Sequence, residues 1–197
     1  MNKVTYILIS VICFCAAGLL GAVETGNSGQ FTVKQTDKGT YQAEFSAEDL
    51  AVKTVFPEKP AIENRTANLI LQEPLVQMSV LVAEHQDADS ENIIEMMMSI
   101  IGKEYANMGL QVVDAQKTEI KRDGPKTEQQ YIVDLDNEIR EFTTFNIYQN
   151  NQYDVIAMTR FILSPDEKDD LDLRTKGNDT AADFLKETTV EFKNSSD

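Results

Sequence analysis

Between Leu110 and Leu163 lie four strand-like runs, "LQVVDAQKTEIK", "EQQYIVDLD", "REFTTFNIYQ" and "YDVIAMTRFIL", broken only at "RDGPK", "NE" and "NNQ". A parallel return needs a crossover of about a dozen residues or more, so breaks this short join antiparallel neighbours. Their Asp, Gly, Pro and Asn residues suit tight turns. This constraint fixes the character of the second half of the chain.

The first half follows the same rule. "FTVKQT" and "TYQAEF" alternate apolar and polar residues on either side of "DKG", a compact hairpin signal. "LAVKTVF" is a further strand, stopped by "PEKP", because Pro57 and Pro60 lack the donors a central strand needs. "NLILQEPLVQMSVLVAEH" holds two apolar runs interrupted at Glu73 and Pro74.

At Asp89 the period changes. Ile93, Met96, Met97, Ile100, Ile101, Tyr105 and Met108 follow the three-and-four spacing of an amphipathic helix over about 90–108. Asp89 or Ser90 can cap it, Glu91 complements its dipole, and Gly109 ends it. A second, weaker helical stretch runs from about Asp179 to Thr189, followed by a polar tail at 193–197. The expectation is an α+β domain over 31–192: a single antiparallel sheet with the long helix and a C-terminal helix packed on it.

The element order, with Phe56-Pro57-Glu58-Lys59-Pro60 before the first long hairpin and Ala182 to Phe192 at the close, resembles the PsbP/Mog1-like family in its exported bacterial branch. That resemblance implies an α/β/α sandwich acting as a binding or accessory module. It implies no shared catalytic residues.

The amino terminus directs the chain elsewhere. Lys3 precedes an uncharged run from Val4 to Val23, with small residues at Gly18, Gly21 and Ala22. This is the pattern of an export signal over 1–22, with 23–30 as linker. Retained, the same run is long enough to anchor the chain in a bilayer, and only then is membrane contact expected. Periplasmic or secreted location is the expectation. Cys13 and Cys15 both fall inside the leader, so thiol nucleophiles, disulfides and cysteine-based metal sites are excluded beyond it.

Composition removes further classes. With 33 acidic against 18 basic residues and a net charge of −15, the chain lacks the cationic surface that nucleic acid requires. No P-loop or dinucleotide glycine motif occurs, and no cofactor is expected.

His85 is the sole histidine, in "EHQDADSE". His85, Asp87, Asp89 and Glu91 are the candidate metal ligands, but the run lacks the central glycine and distal glutamate of a calcium loop. Capping at the strand-to-helix joint accounts for every residue except His85, which then simply faces solvent. A serine hydrolase must use His85, yet no serine sits on a glycine elbow. Asp134 and Asp136, thickened by Glu138 and Glu141, are a possible carboxylate pair. They read instead as a solvated strand end. The methionine-rich face of "EMMMSIIGKEYANM" suits packing on the sheet rather than an exposed binding stripe.

The reading is therefore an exported, non-catalytic binding or accessory protein, whose partner is an unidentified protein or small ligand of the cell envelope. The alternatives are a hydrolase or metal-dependent enzyme centred on His85, Asp87 and Asp89, and an anchored structural subunit.

Overall fold

The structure, a computed structural model, describes residues 29–167 and 169–193. The expected leader, most of the linker, Cys13 and Cys15, and the tail beyond Lys193 lie outside the described residues. Among the described residues no helix is long and apolar enough to cross a membrane.

Twelve strands and two long helices are described. The strands are β1 (Thr32–Gln35), β2 (Tyr41–Ser46), β3 (Leu50–Phe56), β4 (Ala61–Glu63), β5 (Thr66–Gln72) and β6 (Leu75–Glu84). Helix α1 (Ser90–Asn107) follows, then β7 (Val112–Lys117), β8 (Lys121–Asp123), β9 (Lys126–Leu135), β10 (Arg140–Gln149) and β11 (Tyr153–Leu163). Helix α2 (Leu171–Glu187) and β12 (Thr189–Phe192) close the order. Every strand pair is antiparallel.

The strands form two sheets, which corrects the single sheet expected from sequence. The smaller has the order β1-β2-β3-β12, and the larger has the order β4-β5-β6-β11-β10-β9-β7, with β8 also on β9. The smaller sheet takes its last strand from "TVEF", which lies at and beyond the helix end expected near Thr189 and was not expected to form a strand. Those residues instead leave α2 and pair with β3 from Thr189↔Lys53 to Phe192↔Leu50. A buried hydroxyl pair at 2.8 Å between Thr54 and Thr188 fixes the joint, and Thr188 Oγ1 also donates to the Phe184 carbonyl at 2.9 Å.

The larger sheet is apolar on both faces at its centre, since ten of the eleven β11 residues are buried. One face takes Leu81, Phe145, Ile147, Ile156 and Met158 against Ile93, Ile94, Met97, Ile101 and Tyr105 of α1. Asp89 caps that helix, accepting from the Asn92 N–H at 2.8 Å, and Gly109 past its end has φ 74°, the left-handed geometry that glycine supplies without strain. Met96, expected on the packed stripe, is 40% exposed; Ile94 takes its place.

The opposite face takes Val76, Met78, Val80, Ala157 and Phe161 against Phe45, Leu50, Val52 and Phe56 of the small sheet and Phe184 of α2. Helix α2 starts eight residues earlier than its apolar pattern announces, because Asp170 caps it through the Leu173 N–H at 2.9 Å. Its only fully buried residues are Gly177 and Phe184. The Phe184 ring meets Phe56 at 5.1 Å between centroids.

Gly177 lets α2 sit directly on the sheet: a Cβ there would stand 2.3 Å from Phe161 Cε2. Gly177→Ala would improve helix propensity by only about 1 kcal/mol, against an overpacking cost of about 1–3 kcal/mol or more where backbone cannot shift. The expected outcome is net destabilisation: a lower urea midpoint with unchanged slope.

Candidate functional site

The structure disperses the residues of "EHQDADSE". Asp87 is exposed at φ 54°, a left-handed position that Asp tolerates better than most residues. Asp89 is spent on the helix cap, and Glu91 pairs with Arg122. Among the described residues no group of three or more His, Asp or Glu is placed to hold a metal ion.

His85 is the correction here: it does not simply face solvent. Its Nδ1 lies 2.9 Å from Oδ1 of Asp154, a nearly buried residue on β11. A carboxylate only accepts, so the pairing puts a proton on Nδ1. Gln149 Nε2 donates to the same Asp154 oxygen at 2.8 Å and to the Ala88 carbonyl at 2.9 Å, while Ser90 donates to Gln149 Oε1. The Ser90 hydroxyl is thus turned to Gln149, and the network ties the start of α1 to β10 and β11.

The acidic strand end also resolves differently from the sequence reading. Asp134 is held by Arg140 in a two-pronged pair at 2.6 and 2.8 Å, which keeps its carboxyl below the ordinary range. Asp136 belongs to the short 3-10 turn after β9 and accepts from the Gln111 N–H at 3.1 Å. Glu141, expected on the same wet patch, is completely buried under α1.

Arg160 lies there too, equally buried, and grips Glu141 through Nε at 2.7 Å and Nη2 at 2.8 Å. Burial alone would raise the Glu141 pKa, but the Arg160 charge and the hydrogen bonds from Arg160 and Thr143 hold it below its usual value. Tyr105 packs beneath the guanidinium, with Cζ 6.0 Å from the ring centroid. Beside the pair, Glu104 keeps both carboxyl oxygens buried without a hydrogen-bond partner. Burial lifts its pKa from 4.5 to about 7; the Arg160 charge opposes the rise and Glu141 adds to it. This buried set, sealed from solvent, braces α1 on the sheet.

An accessible site lies on the other face. The small sheet and α2 cover β6 and β11, whereas the outer stretch of that face along β9 and β10 is left as the floor of a groove of about 680 Å³. That volume falls within the range of about 300–1,000 Å³ usual for ligand sites. The floor is the alternate row Lys126, Glu128, Gln130 and Ile132 of β9, with Phe142, Thr144 and Asn146 of β10. Helix α2 forms the wall through Arg174, Asn178, Ala181, Ala182, Leu185 and Lys186, a stripe spaced by threes and fours beside the one seated on the sheet.

The groove is locally cationic. Arg174 stacks on Phe142, with Cζ 5.6 Å from the ring centroid. Lys126 meets Glu128 at 3.1 Å, and Lys121 shares that carboxylate at 3.7 Å. With its amide turned so that both groups are satisfied, Asn146 accepts from Lys126 Nζ at 3.3 Å and donates to the Phe145 carbonyl at 3.2 Å. Gln130 Nε2 donates to Thr144 Oγ1 at 3.2 Å.

Sequence reasoning missed Asp154, Gln149, Arg160 and the whole groove. One signal was present: Asp154 and Arg160 stand six residues apart in an apolar strand, hence on one face, and buried charges there require partners.

No family model matches this sequence, and no curated protein matches it. Solved structures do resemble the fold. A single-substitution mutant of the protein Mog1 is 9% identical, covering 84% of this chain and 97% of its own, with a TM-score of 0.49. The Ran-binding protein Mog1p of Saccharomyces cerevisiae is also 9% identical, covering 82% and 96%, with a TM-score of 0.49. Cyanobacterial PsbP (CyanoP) from Synechocystis sp. PCC 6803 is 10% identical, covering 88% and 99%, with a TM-score of 0.41.

Two outcomes follow from the buried cluster. Glu141→Leu alone strands the Arg160 charge and should cost about 3–5 kcal/mol, while Glu141→Leu with Arg160→Met should recover most of that loss; urea titrations of singles and double read the coupling. Glu104 holds its proton to higher pH when folded, so the folded state binds more protons than the unfolded one between pH 4.5 and about 7. Stability contributed by Glu104 therefore falls as pH rises through that window. Glu104→Gln should remove this component, raising the urea midpoint relative to wild type at pH 8 more than at pH 5.

Proposed function

We propose that this chain is a non-catalytic binding or accessory protein, exported by its N-terminal segment, that recognises a partner through the groove between α2 and the β9–β10 face. The observation that carries this reading is the second stripe of α2. Arg174, Asn178, Ala182 and Lys186 are exposed, line a concave surface and contribute little to the core. A helix needs only one stripe to dock on a sheet; the other is free for recognition.

The leader pattern at residues 1–22 supports export. The arrangement around His85 gives the enzymatic alternative less support. Its Nδ1 serves Asp154, Ser90 serves Gln149, and Asp87 and Asp89 face solvent at the joint. These bonds have an ordinary structural use, because they fasten α1 to the sheet.

A photo-crosslinking amino acid placed at Asn178 or Ala182 should yield one discrete adduct in cells that make the protein. The same group at Lys103 or Asn107, exposed on α1 across the sheet, should not. Adducts only from α1, or a substrate turnover abolished by His85→Ala, would contradict the proposal.

A further inference from the structure

We infer that the groove receives an extended acidic peptide, about seven residues long, carrying carboxylates at both ends. This inference rests on the binding reading above and names the chemistry of the occupant.

The spacing of the cations carries the argument. Arg174 stands over Phe142, whose register partner on β9 is Ile132. Lys126 is six residues back along the same strand and on the same face, a separation of roughly 20 Å at about 3.3 Å per residue. On the helical wall, Lys186 lies twelve residues beyond Arg174, about 18 Å at 1.5 Å per residue. Arg174 and Lys126 therefore hold positive charge about as far apart as six residues of extended chain, and Lys186 adds a third cation to the wall.

What lies between suits a peptide better than an acyl chain. Gln130 and Thr144, both half-buried and joined by one hydrogen bond, still offer the amide oxygen and the hydroxyl proton to a ligand's backbone N–H and C=O groups. An acyl chain would desolvate these groups and return no hydrogen bond. Ile132 and Leu185, both half-buried, accept an apolar side chain or two.

Charge then selects an acidic partner. In a chain of net charge −15, among the described residues neither Arg174 nor Lys186 is paired with a carboxylate. Glu128, the groove's own carboxylate, is already shared by Lys126 and Lys121. The acidic surface repels long polyanions at a distance, whereas two spaced carboxylates on a short segment meet cations at both ends.

A fluorescent heptapeptide with a glutamate at each end, and alternating valine and threonine between, tests this by anisotropy against the same peptide ending in glutamines. The full chain should bind the glutamate peptide on the order of tenfold more tightly. Lys186→Glu, at an exposed position, should abolish that preference without changing the melting temperature. Arg174→Glu should abolish it too, with a small drop in melting temperature from the lost stacking on Phe142, and Lys103→Glu on α1 should leave it intact. Equal affinity for both peptides, binding of neither, or a preference that survives Arg174→Glu and Lys186→Glu would overturn the inference. If the groove positions still crosslink a partner in that event, the ligand class is wrong and the binding reading stands; if they do not, both fall.

Discussion

A sheet that is apolar on both faces must be covered on both faces. In this molecule β6 and β11 form the centre of the larger sheet, and nearly every residue of β11 is buried. Helix α1 supplies one cover. The other cover is composite: the four-stranded sheet and α2 together close over β5, β6 and β11. That cover ends before the sheet does. The outer strands β9 and β10 continue past α2 with Lys126, Gln130 and Thr144 on the uncovered side, and the helix becomes the wall of a groove. The proposed binding surface is thus a by-product of how far the second layer reaches, and its polar floor is what permits a sheet face to remain open to water.

The covered face under α1 follows a different rule. It admits a completely buried charge pair, Arg160 with Glu141, and a neighbouring carboxyl on Glu104 that burial keeps protonated up to about pH 7. Desolvating two ions is expensive, and their attraction offsets it only with good geometry. Here the two-pronged contact and the Thr143 hydroxyl satisfy Glu141. A pair of this kind contributes little net stability against an apolar replacement. Its geometry instead tolerates one seating of α1, with Tyr105 packed against Arg160. The His85–Asp154–Gln149–Ser90 chain makes the same demand at the helix's other end.

Much of the fold was legible before any coordinates. The 3.6-residue period gave α1 to within a residue, since "IIEMMMSII" packs a dense stripe between Asp89 and Gly109. The hairpins followed from short breaks. Elements with weak apolar signals were not legible. Helix α2 buries only Gly177 and Phe184, too sparse a stripe to mark its first two turns, and "TVEF" has both helical and extended readings until Thr188 meets Thr54. The site was hidden for a related reason. Lys126, Glu128 and Gln130 alternate with buried residues as any solvent-facing row does, so nothing local distinguishes a groove floor from an ordinary wet face. Glu141 was misassigned because adjacency to Asp134, Asp136 and Glu138 in sequence suggested a common surface. Its partner is nineteen residues away on the next strand.

The central claim is one of place: recognition occurs on the face that α2 leaves uncovered. Backbone amide chemical-shift mapping of the isotopically labelled chain, titrated with the two-glutamate heptapeptide, reads that place residue by residue. The account predicts shifts confined to the β9 row from Lys126 to Ile132, to Phe142–Asn146 of β10, and to Arg174–Lys186 of α2. Shifts concentrated along α1 or on the exposed edge strand β7, with the groove residues silent, would contradict it.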